Sequence, residues 1–208
     1  MSECVKYITA GIAKNCKSQI QKGVEHTGWI ANRDHIDLVN SKVVGSKITA
    51  LEFNDNAPEK PLFPIVIAGK TPFNGLKSSL VVGAYSNTWD KEAPIIILDS
   101  GVEVVENVIN PLTDAESSFI LVVENKGKGE NGNNAFEVFG FDQGLVASAG
   151  ENDKWNDETN GGWKITLSEK SAAHAALFLE PTVEEATGAA VTKKFIESKA
   201  WTKPTENA

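Results

Sequence analysis

The stretch Pro94-Ile-Ile-Ile-Leu98, followed by Asp99-Ser-Gly-Val-Glu103 and then by Phe119-Ile-Leu-Val-Val-Glu124, decides how the chain reads. The first run is continuously apolar and rich in Ile, as a strand covered on both faces would be. Ser100 and Glu103 fit a capping box, in which each side chain satisfies a free N–H at a helix start. Val102, Val105 and Ile109 follow at helical spacing, and Pro111 is expected to stop that helix after Asn110. Ser118–Glu124 is the next strand. The unit is therefore strand, short helix, strand.

Strands dominate outward from this unit. Gly28–Ala31 and Ile48–Phe53 read as strands, and Asp55–Pro61 as a loop. Leu62–Ala68 and Ser79–Tyr85 flank Asn74-Gly75, a pair that tolerates positive φ, so they are expected to form a hairpin. Phe119–Asn125 with Ala135–Phe141 reads as a second hairpin. Gly144–Ala149 with Trp163–Leu167, around Asn160-Gly-Gly162, reads as a third. Ala175–Leu179 is a further strand. Thr182 with Glu185 repeats the capping-box pattern, and Val183, Ala186, Ala190 and Phe195 outline a C-terminal helix weakened by Gly188. Residues 1–20 read as an arm or a helix, 21–200 as a single β-rich domain, and 201–208 as a frayed tail. The expected fold is mainly β, a sandwich or barrel with one or two short helices packed on the sheet.

The chain has 208 residues, 41% hydrophobic and 23% charged, which suits a globular domain with a real core. Twenty basic residues face 28 acidic ones, for a net charge of -8. Up to residue 104 there are 11 of each sign; beyond it, 9 basic residues face 17 acidic ones. Between Glu137 and Glu158, the acids Glu137, Asp142, Glu151, Asp153, Asp157 and Glu158 face only Lys154. They form a candidate acidic surface, or simply a solvated loop. Such a balance disfavours clamping of nucleic acid, which requires clustered Lys and Arg. Cys4 and Cys16 are the only cysteines, too few for a disulfide scaffold; reduced thiols, or one bridge between them, fit. No signal peptide, no membrane-spanning run and no Asn-x-Ser/Thr sequon is read, so the expectation is a soluble protein that does not enter a membrane.

Motifs that carry chemistry fail on inspection. Gly127-Lys-Gly-Glu-Asn-Gly132 matches GxGxxG, but a strand pattern follows where a dinucleotide site needs a helix N-terminus. Gly69-Lys-Thr71 lacks the glycine of a phosphate loop, because Pro64 stands there. Starting a calcium loop at Asp153 puts Trp155 at the third ligand position. Cys4, Cys16, His26 and His35 have no zinc spacing, and neither GxSxG nor HExxH occurs. No catalytic, cofactor or metal site is therefore expected. Among five tryptophans, Trp29, Trp89, Trp155 and Trp163 are candidates for packing between subunits, because interfaces are enriched in Trp.

The order of elements, and the text from Phe73-Asn-Gly through Ser79-Leu-Val-Val-Gly-Ala-Tyr-Ser-Asn-Thr-Trp89, Ile95–Gly101, Phe119–Gly127 and Ala135–Leu145, resembles the major tail tube proteins of long-tailed bacteriophages. The resemblance spans roughly residues 5–170 in general layout. It implies a virion tail protein without enzymatic activity or cofactor, whose partners are copies of itself and other phage tail proteins. It implies hexameric rings stacked into a tube, with strands of all six subunits closing an inner β-barrel. DNA would pass only as conducted cargo, along an acidic bore that avoids phosphate contacts. Loops such as 54–61 and the terminal arms would touch the next ring. Three other readings stand beside it: another virion structural protein (neck, head-decoration or baseplate), a carbohydrate- or peptide-binding sandwich using Trp155 and Trp163, and an enzyme built around Cys16 or His26.

Overall fold

Eleven strands follow one another as β1 (Val24–Asn32), β2 (Lys42–Val44), β3 (Lys47–Ala50), β4 (Phe63–Val66), β5 (Lys77–Val81), β6 (Thr88–Ile97), β7 (Phe119–Asn125), β8 (Phe136–Phe139), β9 (Val146–Glu151), β10 (Trp163–Ala172) and β11 (Leu177–Leu179). Between β6 and β7 lie α1 (Val102–Val104), a wide π-type turn (Val105–Ile109) and α2 (Asn110–Thr113). Helix α3 (Ala189–Lys199) follows β11. The computed structural model describes residues 8, 10–11, 21–67, 70–129, 132, 134–182 and 187–202. The protein is mainly β. A seven-stranded sheet runs β2-β3-β11-β8-β7-β1-β4, and a four-stranded sheet runs β5-β6-β10-β9. Every pairing is antiparallel except that of β11 with β3.

The large sheet is apolar on both faces. Strand β7 explains this most directly, since Phe119, Ile120, Leu121, Val122 and Val123 are all buried. Its alternate residues serve two cores. Ile120 and Val122 join Trp29, Phe136, Val138, Leu177 and Leu179 on one face, where Ile196 of α3 covers them. Phe119, Leu121 and Val123 join Ile30 and Phe139 on the other, against Ala93, Ile95, Ile165 and Leu167 of the small sheet. Each such side chain contributes about 1.5–3 kcal/mol by leaving water. The result is three layers: small sheet, large sheet, then helix and coil.

Several expectations are corrected. The strands on either side of Asn74-Gly75 do not pair: β4 joins β1 in the large sheet and β5 joins β6 in the small one. Gly75 does take positive φ, at 104°, but the turn sends the chain from one sheet to the other. Phe73 anchors this crossing by packing onto Gly28, where a Cβ would lie 2.4 Å from its ring. The Ser100 capping box does not form. Gly101 is the cap of α1, and its N–H donates to Oδ1 of Asp99 at 2.8 Å. Pro111 does not end the helix either. It sits in the first turn of α2, where its missing N–H costs least, and the π-type turn before it absorbs the lost helical register. The C-terminal helix begins at Ala189, with Gly188 as its cap, and not near Thr182; residues 183–186 lie outside the described ones. The strand expected over Ile48–Phe53 ends at Ala50, and Phe53 forms an isolated bridge with Ile36. The other two expected hairpins are present as β7–β8 and β9–β10.

Candidate functional site

The two sheets treat their edges differently. In the large sheet, edge strand β2 has three residues, and edge strand β4 carries Pro64, which lacks a ladder donor. Short edges and proline are the usual guards against pairing with another chain. The small sheet has neither a three-residue edge nor an edge proline; β9 carries a bulge between Ala147 and Ala149 and lies against α2, whereas β5 has no such feature among the described residues. All five residues of β5 are exposed, as are Val146 and Ser148–Glu151 of β9, and neither strand contains proline. Ile96, on the outer face, donates its N–H to the Pro72 carbonyl at 2.9 Å on the β5 side. By alternation, Asp90 and its partner Ser79 bond to each other, and Ser78 and Leu80 turn their amides to the free edge.

Cross-strand partners share a face, so the register assigns the outer surface of the small sheet. Lys77, Asp90, Glu92, Glu151 and Lys164 lie there by register, and Lys170, in the bulge of β10, reaches this face through its ion pair with Asp90. Each lysine is matched: Lys77 to Glu92 at 2.9 Å, Lys170 to Asp90 at 2.8 Å and Lys164 to Glu158 at 2.7 Å. The Lys170 hydrogen bond and the Ser171 N–H hold the Asp90 carboxyl below its ordinary range, and Asp90 raises Lys170 in turn. Glu158 is lowered by Lys164 and Asn74.

No protein-family model, curated protein or solved structure matches this chain.

The six acids do not gather on one surface. Glu151, Asp153, Asp157 and Glu158 cluster around the β9–β10 connection. Glu137 instead sits half-buried in β8 on the inter-sheet side, where burial pushes its carboxyl up against the opposing effects of Asn125 and Lys91. Asp142 is tied down inside the β8–β9 loop. Its carboxylate accepts the His174 N–H and meets His174 Nδ1, both at 2.9 Å, and its carbonyl accepts Arg33 Nη2 at 2.9 Å. The tryptophans also divide. Trp29 is a core residue packed on Phe136 at 6.3 Å between ring centroids. Trp163 faces inward at the start of β10, and Trp89 is half-buried in β6. Only Trp155 stands free, at 92% exposure.

A buried ion pair lies between the layers. Lys91 and Glu169 approach to 3.2 Å with side chains 1% and 0% exposed. Glu169 accepts the backbone N–H groups of Gly140 (3.1 Å) and Gln143 (2.8 Å), so it ties β10 to the β8–β9 loop. The Lys91 ammonium faces it without a well-directed hydrogen bond. An apolar cavity of about 720 Å³ runs between β4 and the end of β6 beneath the helical segment, lined by Ile30, Phe63, Ile65, Ile97, Val108 and Phe119 among others. Among the described lining residues the polar side chains are those of Asn32, Asp99 and Asn107. Among the described residues no cluster of His, Cys, Asp and Glu is placed to hold a metal ion, and no helix is long and apolar enough to cross a membrane. Cys4 and Cys16 lie outside the described residues. Sequence reasoning missed the free edge β5 and the tip beyond it. The available signal was the run Ser78–Trp89, twelve residues without a charge in a chain that is 23% charged.

Proposed function

We propose that this chain is a structural subunit of a bacteriophage tail tube, assembling head-to-tail into rings that stack and conduct DNA. The observation that carries the reading is the pair of proline-free edges on the four-stranded sheet, of which β5 is exposed along its whole length. Four strands, all antiparallel, leave β5 and β9 running in opposite directions. A simple rotation therefore brings β9 of one copy beside β5 of the next as an antiparallel pair, and repetition closes a ring.

Register supports closure into a barrel. Residues level with β5 in the ladder fall at and before the start of β9, because Lys77 aligns through Glu92 and Ser168 with Val146. Centring β5 on the β9 of its neighbour thus needs a stagger of about four to five residues across four strands. With about 3.4 Å per residue and about 4.8 Å between strands, the strands lean about 40° from the ring axis, within the roughly 35–45° of closed barrels. The direction of the Ile96 N–H fixes the left-to-right order of strands. With the outer face turned inward, the lean has the right-handed sense that strand twist requires; turned outward, it has the wrong hand. Six copies give about 24 strands and a backbone diameter of about 45 Å, wide enough for duplex DNA.

The bore wall would then carry three lysines beside the carboxylates of Asp90, Glu92 and Glu151, with every lysine held by an acid, Lys164 by Glu158 of the adjoining loop. Lysines engaged in this way offer few free charges to phosphate. The binding-module reading is weakened, because Trp163 faces the core and leaves Trp155 without a second platform residue.

The test is Ser78→Pro, which removes a free-edge donor and no internal one. Wild-type protein should form rings or tubes of uniform bore by negative-stain electron microscopy and light scattering. The variant should melt like wild type and remain monomeric. Assembly of the variant to wild-type extent would defeat the edge-pairing mechanism.

A further inference from the structure

We infer that successive rings are joined by the β5–β6 hairpin tip of one copy docking on the Trp155 loop of a second copy, an inference that rests on the ring reading above. The two features lie at opposite ends of one sheet. The tip, Val82–Asn87, extends beyond Thr88, whereas the β9–β10 loop extends beyond the level of Ile97 and Trp163. When the sheet closes into a ring, they project from opposite rims.

Both features are built to meet a partner. From Lys77 to Asn87 every residue is exposed, including Val82 at 77% and a fully exposed Tyr85, and no charge interrupts the apolar tip. The turn requires glycine at position 83, where a Cβ would lie 2.3 Å from the Ser86 carbonyl oxygen. At the other rim the exposed Trp155 stands on a stitched loop. Its own N–H donates to Asp153 Oδ1 at 2.9 Å. Asn156 Oδ1 accepts the Glu158 N–H at 2.8 Å, and Asn152 Nδ2 donates to the Gly162 carbonyl at 2.7 Å. An aromatic side chain held out by an ordered loop loses little freedom on binding, which is what makes Trp and Tyr strong anchors. Tyr85 and Trp155 occupy opposite poles, so a contact between them is heterologous: it leaves one free pole of each kind and repeats along the axis. A symmetric face-to-face pairing of tips would stop after two rings.

The test uses the full-length chain with Tyr85→Ser and, separately, Trp155→Ser, each assayed by thermal melting, sedimentation and electron microscopy. Both side chains are solvent-exposed, so melting should match wild type. Wild type should give tubes, and each variant should give isolated rings, with the pelletable fraction reduced at least about tenfold. Variants that form tubes as long as wild type overturn this contact and leave the ring reading standing. Variants and wild type that are alike monomeric overturn the ring reading and this contact with it.

Discussion

Replacing Lys91 by Met removes a charge from the interior while nearly conserving volume. The ammonium is 1% exposed and 3.2 Å from a carboxylate that is fully buried. In the variant, Glu169 keeps the Gly140 and Gln143 N–H groups but loses its only cation. Glu137, already pushed upward by burial, loses the same neighbour. Breaking a buried pair by removing one partner costs about 3–5 kcal/mol. Two charge-assisted hydrogen bonds remain on Glu169, so the lower end applies, about 3 kcal/mol. At a urea dependence of about 2–3 kcal/mol per molar, the denaturation midpoint should fall by about 1–1.5 M. Lys77→Met provides the control. Its partner Glu92 is comparably close at 2.9 Å, but both groups are substantially exposed, so the loss should stay below about 1 kcal/mol. If the two variants shift the midpoint equally, burial does not set the value of the Lys91 pair, and the polar tie between the layers is not what holds the β8–β9 loop against β10.

Glu137→Gln should stabilise the protein at neutral pH. The folded carboxyl is raised above its ordinary 4.5, so wild type carries a penalty when ionised that disappears as pH falls through the folded value toward the unfolded one. The gain of the variant in thermal melts should therefore shrink on acidification and vanish below about pH 4.5; a gain independent of pH would contradict this cause. Gly140→Ala should destabilise by about 2–3 kcal/mol in the same urea assay. Gly140 takes φ of 83°, and its Cβ would lie 2.4 Å from the Phe119 carbonyl oxygen, which belongs to a central strand and does not yield.

How far the sequence was readable depended on whether a signal was local. The β7–β8 and β9–β10 hairpins were legible because each couples two strand patterns across a single glycine-containing connection of ten or eleven residues. The supposed hairpin at Asn74-Gly75 failed because a turn sets the backbone direction without choosing the partner strand. That choice belongs to Phe73, which locks onto Gly28 about 45 residues away and splits the chain between sheets. Pro111 misled for a related reason. A proline forbids an N–H bond at one position, yet a π-type turn placed before it let the helical segment run on to Thr113. Of the six acidic residues close in sequence, only the four around the β9–β10 connection stay together in the fold. Alternation along β8 turned Glu137 toward the inter-sheet core, and the loop after it folded Asp142 against His174. The free edge at β5 left a trace in composition, but an uncharged run reads equally as core until the fold shows β5 exposed and, among the described strands, paired only with β6.

The distribution of charge bears on how such a tube would release its cargo. An acidic bore was expected, and the net charge of -8 invites it. On the sheet face that would line the proposed bore, however, every lysine is matched, and Glu151 at the end of β9 and Asp153 and Asp157 in the β9–β10 loop are acids with no ion pair among the described residues. Like-charge repulsion along the whole wall would push DNA toward the axis but would also set adjacent subunits against one another across each new β5–β9 seam. A wall of matched pairs avoids that cost. Each lysine is neutralised by a carboxylate within 2.9 Å, so in the proposed tube few fixed cations would remain to exchange counterions with phosphate, and passage would meet neither strong attraction nor a barrier that grows with tube length. In the proposed tube, acidity concentrated at the rims would act once per ring, at the mouth of each seam, where it would repel phosphate without weakening the ladder that closes the ring.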